Sequence, residues 1–155
     1  MGFEGSNPSY TANSTMKLVK EIKSKEGAVH FRRWAFFETK FFSIYYHEIF
    51  KADEDPHLHN HPWNIFTLIL SGAYIEELEN KKHVYRGKWT IANRARARFH
   101  KIKELLSNKV TTLAICYGKR GEWGYRLSDT VTVSNAEYRK LKHAQPYEFV
   151  NHRKQ

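Results

Sequence analysis

The segment His57-Leu58-His59-Asn60-His61-Pro62-Trp63 places three imidazoles within seven residues. Side chains two apart in an extended chain point to one face. His57, His59 and His61 therefore project together if the stretch is extended, and Pro62 restricts His61 to that conformation. Two imidazoles spaced this way can chelate one divalent ion but leave most of its coordination shell empty. A third ligand has to come from elsewhere in the chain. Imidazole suits iron, zinc, nickel and copper alike, so the ligand type alone does not choose the metal.

His59-Asn60-His61 followed by Gly72 resembles the first motif of the cupin superfamily, G(X)5HXH(X)3-4E(X)6G. In that alignment Gly72 takes the closing glycine, Ile65 stands in the glutamate slot, and Asp53 stands where the opening glycine belongs. Gly87 to Glu104 resembles the second motif. His100 takes its histidine slot, while Ala95, Ala97 and Glu104 replace its Pro, Gly and Asn. The resemblance implies a cupin-type double-stranded β-helix, an all-β jelly-roll barrel, with His59, His61 and His100 as metal ligands. An isoleucine cannot coordinate, so the glutamate ligand is lost. What remains is similar to the three-histidine centre of the thiol dioxygenase branch, which favours Fe2+ and admits Zn2+, Ni2+ or Cu2+. Three ligands leave open positions for water, dioxygen or substrate. His57 does not fit the motif offset; it is a fourth ligand, a residue supporting the site, or simply exposed, and the last two are favoured. His47 is expected to be a satisfied half-buried histidine.

Arg94, Arg96 and Arg98 alternate with Ala95, Ala97 and Phe99 up to His100. In one unbroken strand the arginines would share the face of His100 and offer guanidinium groups to a carboxylate or phosphate. Arg96 and Arg98 are the candidates for substrate binding, with Trp63 as a wall of the cavity. The second cupin motif carries a turn here, and a turn would break the alternation, leaving at most one or two arginines facing inward. A basic outer edge that discourages strand pairing is the competing reading. Tyr117 and Tyr125 are candidate proton donors. Residues 118–125, with two Gly flanking Lys119-Arg120 and with Trp123 and Tyr125, form a hairpin turn or a rim over the ligand.

The elements that must hold these residues are short and aromatic. Segments 28–37 and 41–50 read as an antiparallel pair. They are followed by strands over 57–70, 73–79, 83–92, 97–105, 110–117, 123–127 and 130–133, separated by turn residues. A short N-terminal helix is expected from Ser14, with Leu18, Val19 and Ile22 as its stripe and Gly27 as its end. A C-terminal helix is expected from Ser134 through Glu137 to about His143, stopped by Pro146. Residues 1–13 read as a flexible tail and 14–155 as a single cupin-like domain.

Twenty-six Lys and Arg against sixteen Asp and Glu give a formal charge of +10, which favours anionic partners. A small carboxylate or phosphate is the leading one. Nucleic acid is disfavoured, because there is no zinc-finger spacing, no RNP-like string and no recognition helix. The single cysteine, Cys116, excludes an intrachain disulfide. With neither a signal peptide nor a membrane-spanning run, a cytoplasmic protein is expected, and a homodimer through an exposed sheet is reasonable. The functional expectation is an oxygenase-like, metal-dependent cupin enzyme. A non-catalytic metal-binding or sensing cupin is the alternative, and a basic nucleic-acid-associated protein is the third.

Overall fold

The computed structural model describes residues 16–24 and 26–144. The expected tail over 1–13, the Ser14 cap and the Pro146 stop lie outside them. Twelve strands form: β1 (Lys17–Lys23), β2 (Val29–Glu38), β3 (Phe42–Ile49), β4 (Leu58–His59), β5 (Asn64–Ser71) and β6 (Tyr74–Leu78) lead. They are followed by β7 (His83–Arg86), β8 (Ile91–Arg94), β9 (His100–Leu105), β10 (Val110–Tyr117), β11 (Gly124–Arg126) and β12 (Thr132–Ser134), and the helix α1 (Asn135–Ala144) ends the described chain. One six-stranded sheet runs β1-β2-β3-β10-β5-β8 and the other runs β12-β11-β4-β9-β6-β7.

Period-two alternation decides which side chains meet between the sheets. Ile65, Thr67 and Ile69 of β5, Ala92 and Arg94 of β8, and Val110, Thr112 and Ala114 of β10 all turn inward and are buried. From the other sheet come His59, Tyr74, Glu76 and His100, also buried. At one end Ile49, Ile69, Tyr74 and Val110 form an apolar cluster with Phe31, Ile102 and Leu105. Ile65, Ala114 and Cys116 form a second cluster with Tyr45 and Trp63. The interior is thus greasy at its ends and polar between them.

Gly72 shows why a motif glycine is needed. Its φ is +75°, and a Cβ there would lie 2.4 Å from the Lys109 carbonyl oxygen, so only glycine fits the turn from β5 to β6. The α1 cap also forms as the sequence requires. Glu137 N–H donates to Ser134 Oγ (3.3 Å), and Ser134 N–H donates back to Glu137 Oε2 (2.9 Å), a reciprocal capping box.

Four local expectations are corrected. The N-terminal helix is instead strand β1: Gly27, at φ +88°, turns the chain back so that Leu18 pairs with Trp34 and Ile22 with Phe31. A helix this short is marginal alone, whereas the open edge of β2 satisfies the backbone and covers apolar side chains. The stretch 57–70 breaks at residues 60–63, because Pro62 cannot donate to a ladder. The stretch 83–92 divides between the two sheets as β7 and β8. A turn closed by Arg98 N–H on the Ala95 carbonyl (2.9 Å) separates Arg94 from His100.

Candidate metal centre

Three elements bring the imidazoles together. In the sheet, His59 of β4 lies opposite His100 of β9 on one side and Tyr125 of β11 on the other. His61 lies beyond the end of β4, in a loop that Asn60 holds against β11. Asn60 N–H donates to the Gly124 carbonyl (3.0 Å), and Gly124 N–H donates to Asn60 Oδ1 (2.7 Å). Arg120 N–H fastens the next residue by donating to the Pro62 carbonyl (2.7 Å). One ligand nitrogen from each of His59, His61 and His100 lies within 4.8 Å of the others, and the Nε2 atoms of His61 and His100 are 3.0 Å apart.

Behind His100 stands Glu76, whose side chain is fully buried. Its Oε1 lies 2.9 Å from His100 Nδ1, it is ion-paired with Arg94, and Oε2 accepts from Arg86 Nε at 2.8 Å. Burial alone would raise the Glu76 carboxyl, but the His100 contact and the Arg94 pair outweigh it and hold the group well below the usual carboxylate range. Glu76 is therefore an anion. An anion 2.9 Å from Nδ1 favours the tautomer that carries its proton there and leaves Nε2 of His100 bare, as in a carboxylate–histidine–metal triad, although the contact is not aligned as a hydrogen bond. Burial also pushes His100 down to about 4 and His61 well below its usual value, so both rings are neutral and able to ligate at pH 7.

These residues fit a divalent ion. Two imidazoles ligating one ion at ~2.0–2.1 Å put their nitrogens roughly 3 Å apart, as His61 and His100 do. Around them His61 Nδ1, Trp63 Nε1 and Trp123 Nε1 are buried with no hydrogen-bond partner among the described residues. Native interiors rarely leave such groups unsatisfied without a functional reason. Trp123 closes one side, with its ring 5.7 Å from His59 and 4.8 Å from His61. The centre opens into a cavity of about 500 Å³ between the sheets.

The other expected site residues scatter. Arg96 and Arg98 are exposed in the turn before β9, outside the cavity lining, because the turn breaks the alternation that would have aimed them inward. Arg94 faces inward instead and is consumed by Glu76 and by Tyr74, whose hydroxyl accepts from it at 3.1 Å. Trp63 packs beside His61 (6.0 Å between rings) and borders a smaller pocket rather than the main cavity. Tyr117 is exposed at the end of β10 and borders the same smaller pocket. Tyr125 does line the main cavity, stacked 3.8 Å from Tyr138, and burial pushes its phenol up to about 12. Such a phenol can donate a hydrogen bond at neutral pH but cannot act as a base. His57 lies beside the Tyr138 hydroxyl at 3.1 Å, supporting α1 rather than the histidine cluster.

Sequence reasoning missed Glu76, Arg33 and Lys20. Parity could have found Glu76, since it shares the inward face of β6 with Tyr74, two residues before it. Arg33 of β2 lines the main cavity and donates from Nε to His47 Nε2 at 3.0 Å. His47 is buried, and its Nδ1 meets Thr112 Oγ1 at 3.3 Å. Burial first, then the charges of Arg33 and Lys20, keep His47 neutral.

No family profile and no curated protein match the sequence. The fold does find likenesses among solved structures. A crystal structure of Fe(II) HppE aligns with 75% of this chain and 61% of its own, at 11% identity and a TM-score of 0.52. A Ralstonia eutropha protein provisionally named a mannose-6-phosphate isomerase aligns over 73% of this chain and 98% of its own, at 14% identity and a TM-score of 0.51. A structure reported for DMSP lyases aligns over 64% of this chain at 16% identity and a TM-score of 0.50, and this chain spans 53% of it. Identities this low speak for architecture alone. With two antiparallel sheets, a turn that only Gly72 fits, and a histidine cluster between the sheets, the chain has the cupin fold.

Proposed function

We propose that this protein is a metal-dependent, oxygenase-like enzyme that binds Fe2+ through His59, His61 and His100 and acts on a small anionic molecule. The observation that carries this reading is the convergence of three imidazoles with Glu76 aiming one of them. When bound, iron supplies redox chemistry and open positions for a second ligand. The protein's own residues prepare that centre. Glu76 holds the His100 tautomer, Asn60 holds the loop of His61, and Trp123 shields the rings from water. Tyr125, protonated at neutral pH and with its ring 5.9 Å from that of His59, is a hydrogen-bond donor within the cavity. The Fe(II) of HppE shows that a barrel of similar fold can carry a divalent ion. A cytoplasmic setting fits the lone thiol Cys116, which is buried and free.

Metal analysis of protein purified without an affinity tag tests the centre. About one ion per chain is expected in the wild type and little in His61→Ala or His100→Ala. Unchanged metal content in both variants would sink the assignment. Oxygen consumption with candidate anions then separates an enzyme from a cupin that only binds its ligand.

A further inference from the structure

The cavity wall opposite the histidine cluster carries a row of cations. Cross-strand pairing places Lys20 beside Arg33, Arg33 beside His47, and His47 beside Thr112. Lys20, Arg33, His47 and Thr112 all line the main cavity, and Arg139 reaches it from α1. Like charges directly opposite on one face of a sheet are destabilising. Lys20 and Arg33 nonetheless sit in that relation. Among the described residues neither they nor Arg139 make an ion pair, while Arg33 is held in place by its bond to His47 and by stacking 4.7 Å over Tyr45.

The outward-facing row of the same strands is built differently. There Glu21, Arg32 and Glu48 alternate in sign; Arg32 Nε meets Glu21 at 2.7 Å, and Lys109 reaches Glu48 at 3.3 Å. The acids at the cavity rim make their contacts elsewhere, and among the described residues none forms an ion pair with the inner row. Asp53 accepts from Ile102 N–H (2.6 Å), Glu54 is paired with Lys51 (2.6 Å), and Asp55 is paired with Lys142.

We infer that Lys20, Arg33 and Arg139 form an oxyanion-binding subsite that takes a phosphate or carboxylate group of the substrate, with the rest of that molecule reaching the histidine cluster. Three cations without an ion pair of their own favour a dianionic phosphate over a single carboxylate. This rests on the functional reading above only in calling the anion a substrate; the subsite itself does not depend on a metal. Arg33, with its Nε committed to His47, presents the remaining guanidinium nitrogens as a preset fork, the geometry that suits phosphate and carboxylate oxygens.

Calorimetric titration of the full chain with inorganic phosphate, and separately with acetate, tests the inference. It is run at low salt on protein as purified and after chelation, so that a bound metal cannot account for the signal. Phosphate is expected to bind in both preparations, more tightly than acetate and more weakly as salt rises. Arg33→Gln keeps a donor for His47 and removes the charge; at least a 10-fold loss of phosphate affinity is expected. Lys20→Gln and Arg139→Gln, both at exposed positions, should each lose several-fold without affecting folding. No phosphate or acetate binding by the wild type, or unchanged affinity in all three variants, overturns the subsite. His61→Ala separates the two readings. Phosphate binding that survives there supports the subsite on its own, whereas a wild type that holds metal and binds neither anion overturns the subsite alone.

Discussion

Arg94 and Arg33 line the same cavity and are treated in opposite ways. Arg94, 7% exposed, is enclosed by Glu76, Tyr74 and Thr67, so its charge is cancelled where it sits. Arg33 has a histidine and two aromatic rings for neighbours and makes no ion pair among the described residues, Glu38 acting on it only from beyond contact. A buried charge needs a partner. Arg94 has its partner in the fold and is architecture. Arg33 lacks one within the described fold, which is the signature of a group that meets its partner in a ligand.

The largest effect should come from Glu76→Ala. It strands Arg94 and unties His100, and removing one member of a buried pair costs about 3–5 kcal/mol. Urea denaturation should show that loss, and metal competition should show affinity lower by roughly 10–100-fold. A stable variant that still binds metal normally would mean Glu76 is incidental to both. Arg94→Met should also cost stability, because it leaves the buried Glu76 carboxylate with Arg86 as its one remaining guanidinium partner.

Acid sharpens the contrast next. His100 titrates at about 4 in the fold, against an ordinary histidine value of 6.5 when unfolded. Between those values the unfolded chain binds a proton that the folded chain refuses, so stability falls as pH falls from 6.5 toward 4. At pH 5 the loss from His100 alone is about 2 kcal/mol, and lowered His61 adds in the same direction. Glu76, held below its ordinary value, loses its contribution only at still lower pH, below about 4.5, its sign being that of a depressed carboxylate. Urea midpoints at pH 7 and pH 5 check the sum; a midpoint that rises on acidification would contradict the burial of these rings as neutral species.

The smallest expected effect is the most telling one. Arg33→Met should leave stability within about 1 kcal/mol of wild type, since relief of desolvation and of the Lys20 repulsion offsets the lost bond to His47. Thermal melts of Arg33→Met and Arg94→Met side by side test the comparison directly. Equal losses in the two would show that Arg33, too, is structural.

Some of this was legible in the chain. The HXH pair, the glycine at the right offset and the alternation of β3, β5 and β10 are local patterns with local physical causes. They predicted strands and a sandwich or barrel, while the convergence of His59, His61 and His100 was implied by the resemblance to the cupin motifs. The capping box of α1 was equally visible, because Ser134 and Glu137 lie three residues apart on one helical turn. The N-terminal segment misled because its apolar spacing suits a helix, and only the presence of the β2 edge makes a strand the better use of it.

The sequence by itself determined the materials of the site: a histidine pair at chelating spacing, an isoleucine where the resembled motif has glutamate, and a strongly cationic chain that favours anionic partners. Tertiary structure decided which charges count. A turn of five residues between Arg94 and His100 sends Arg96 and Arg98 to solvent, and cross-strand pairing over more than ten residues sets Lys20, Arg33 and His47 side by side. No spacing in the sequence reveals that, because the partner that cancels or fails to cancel a charge is chosen by the strand that lies beside it.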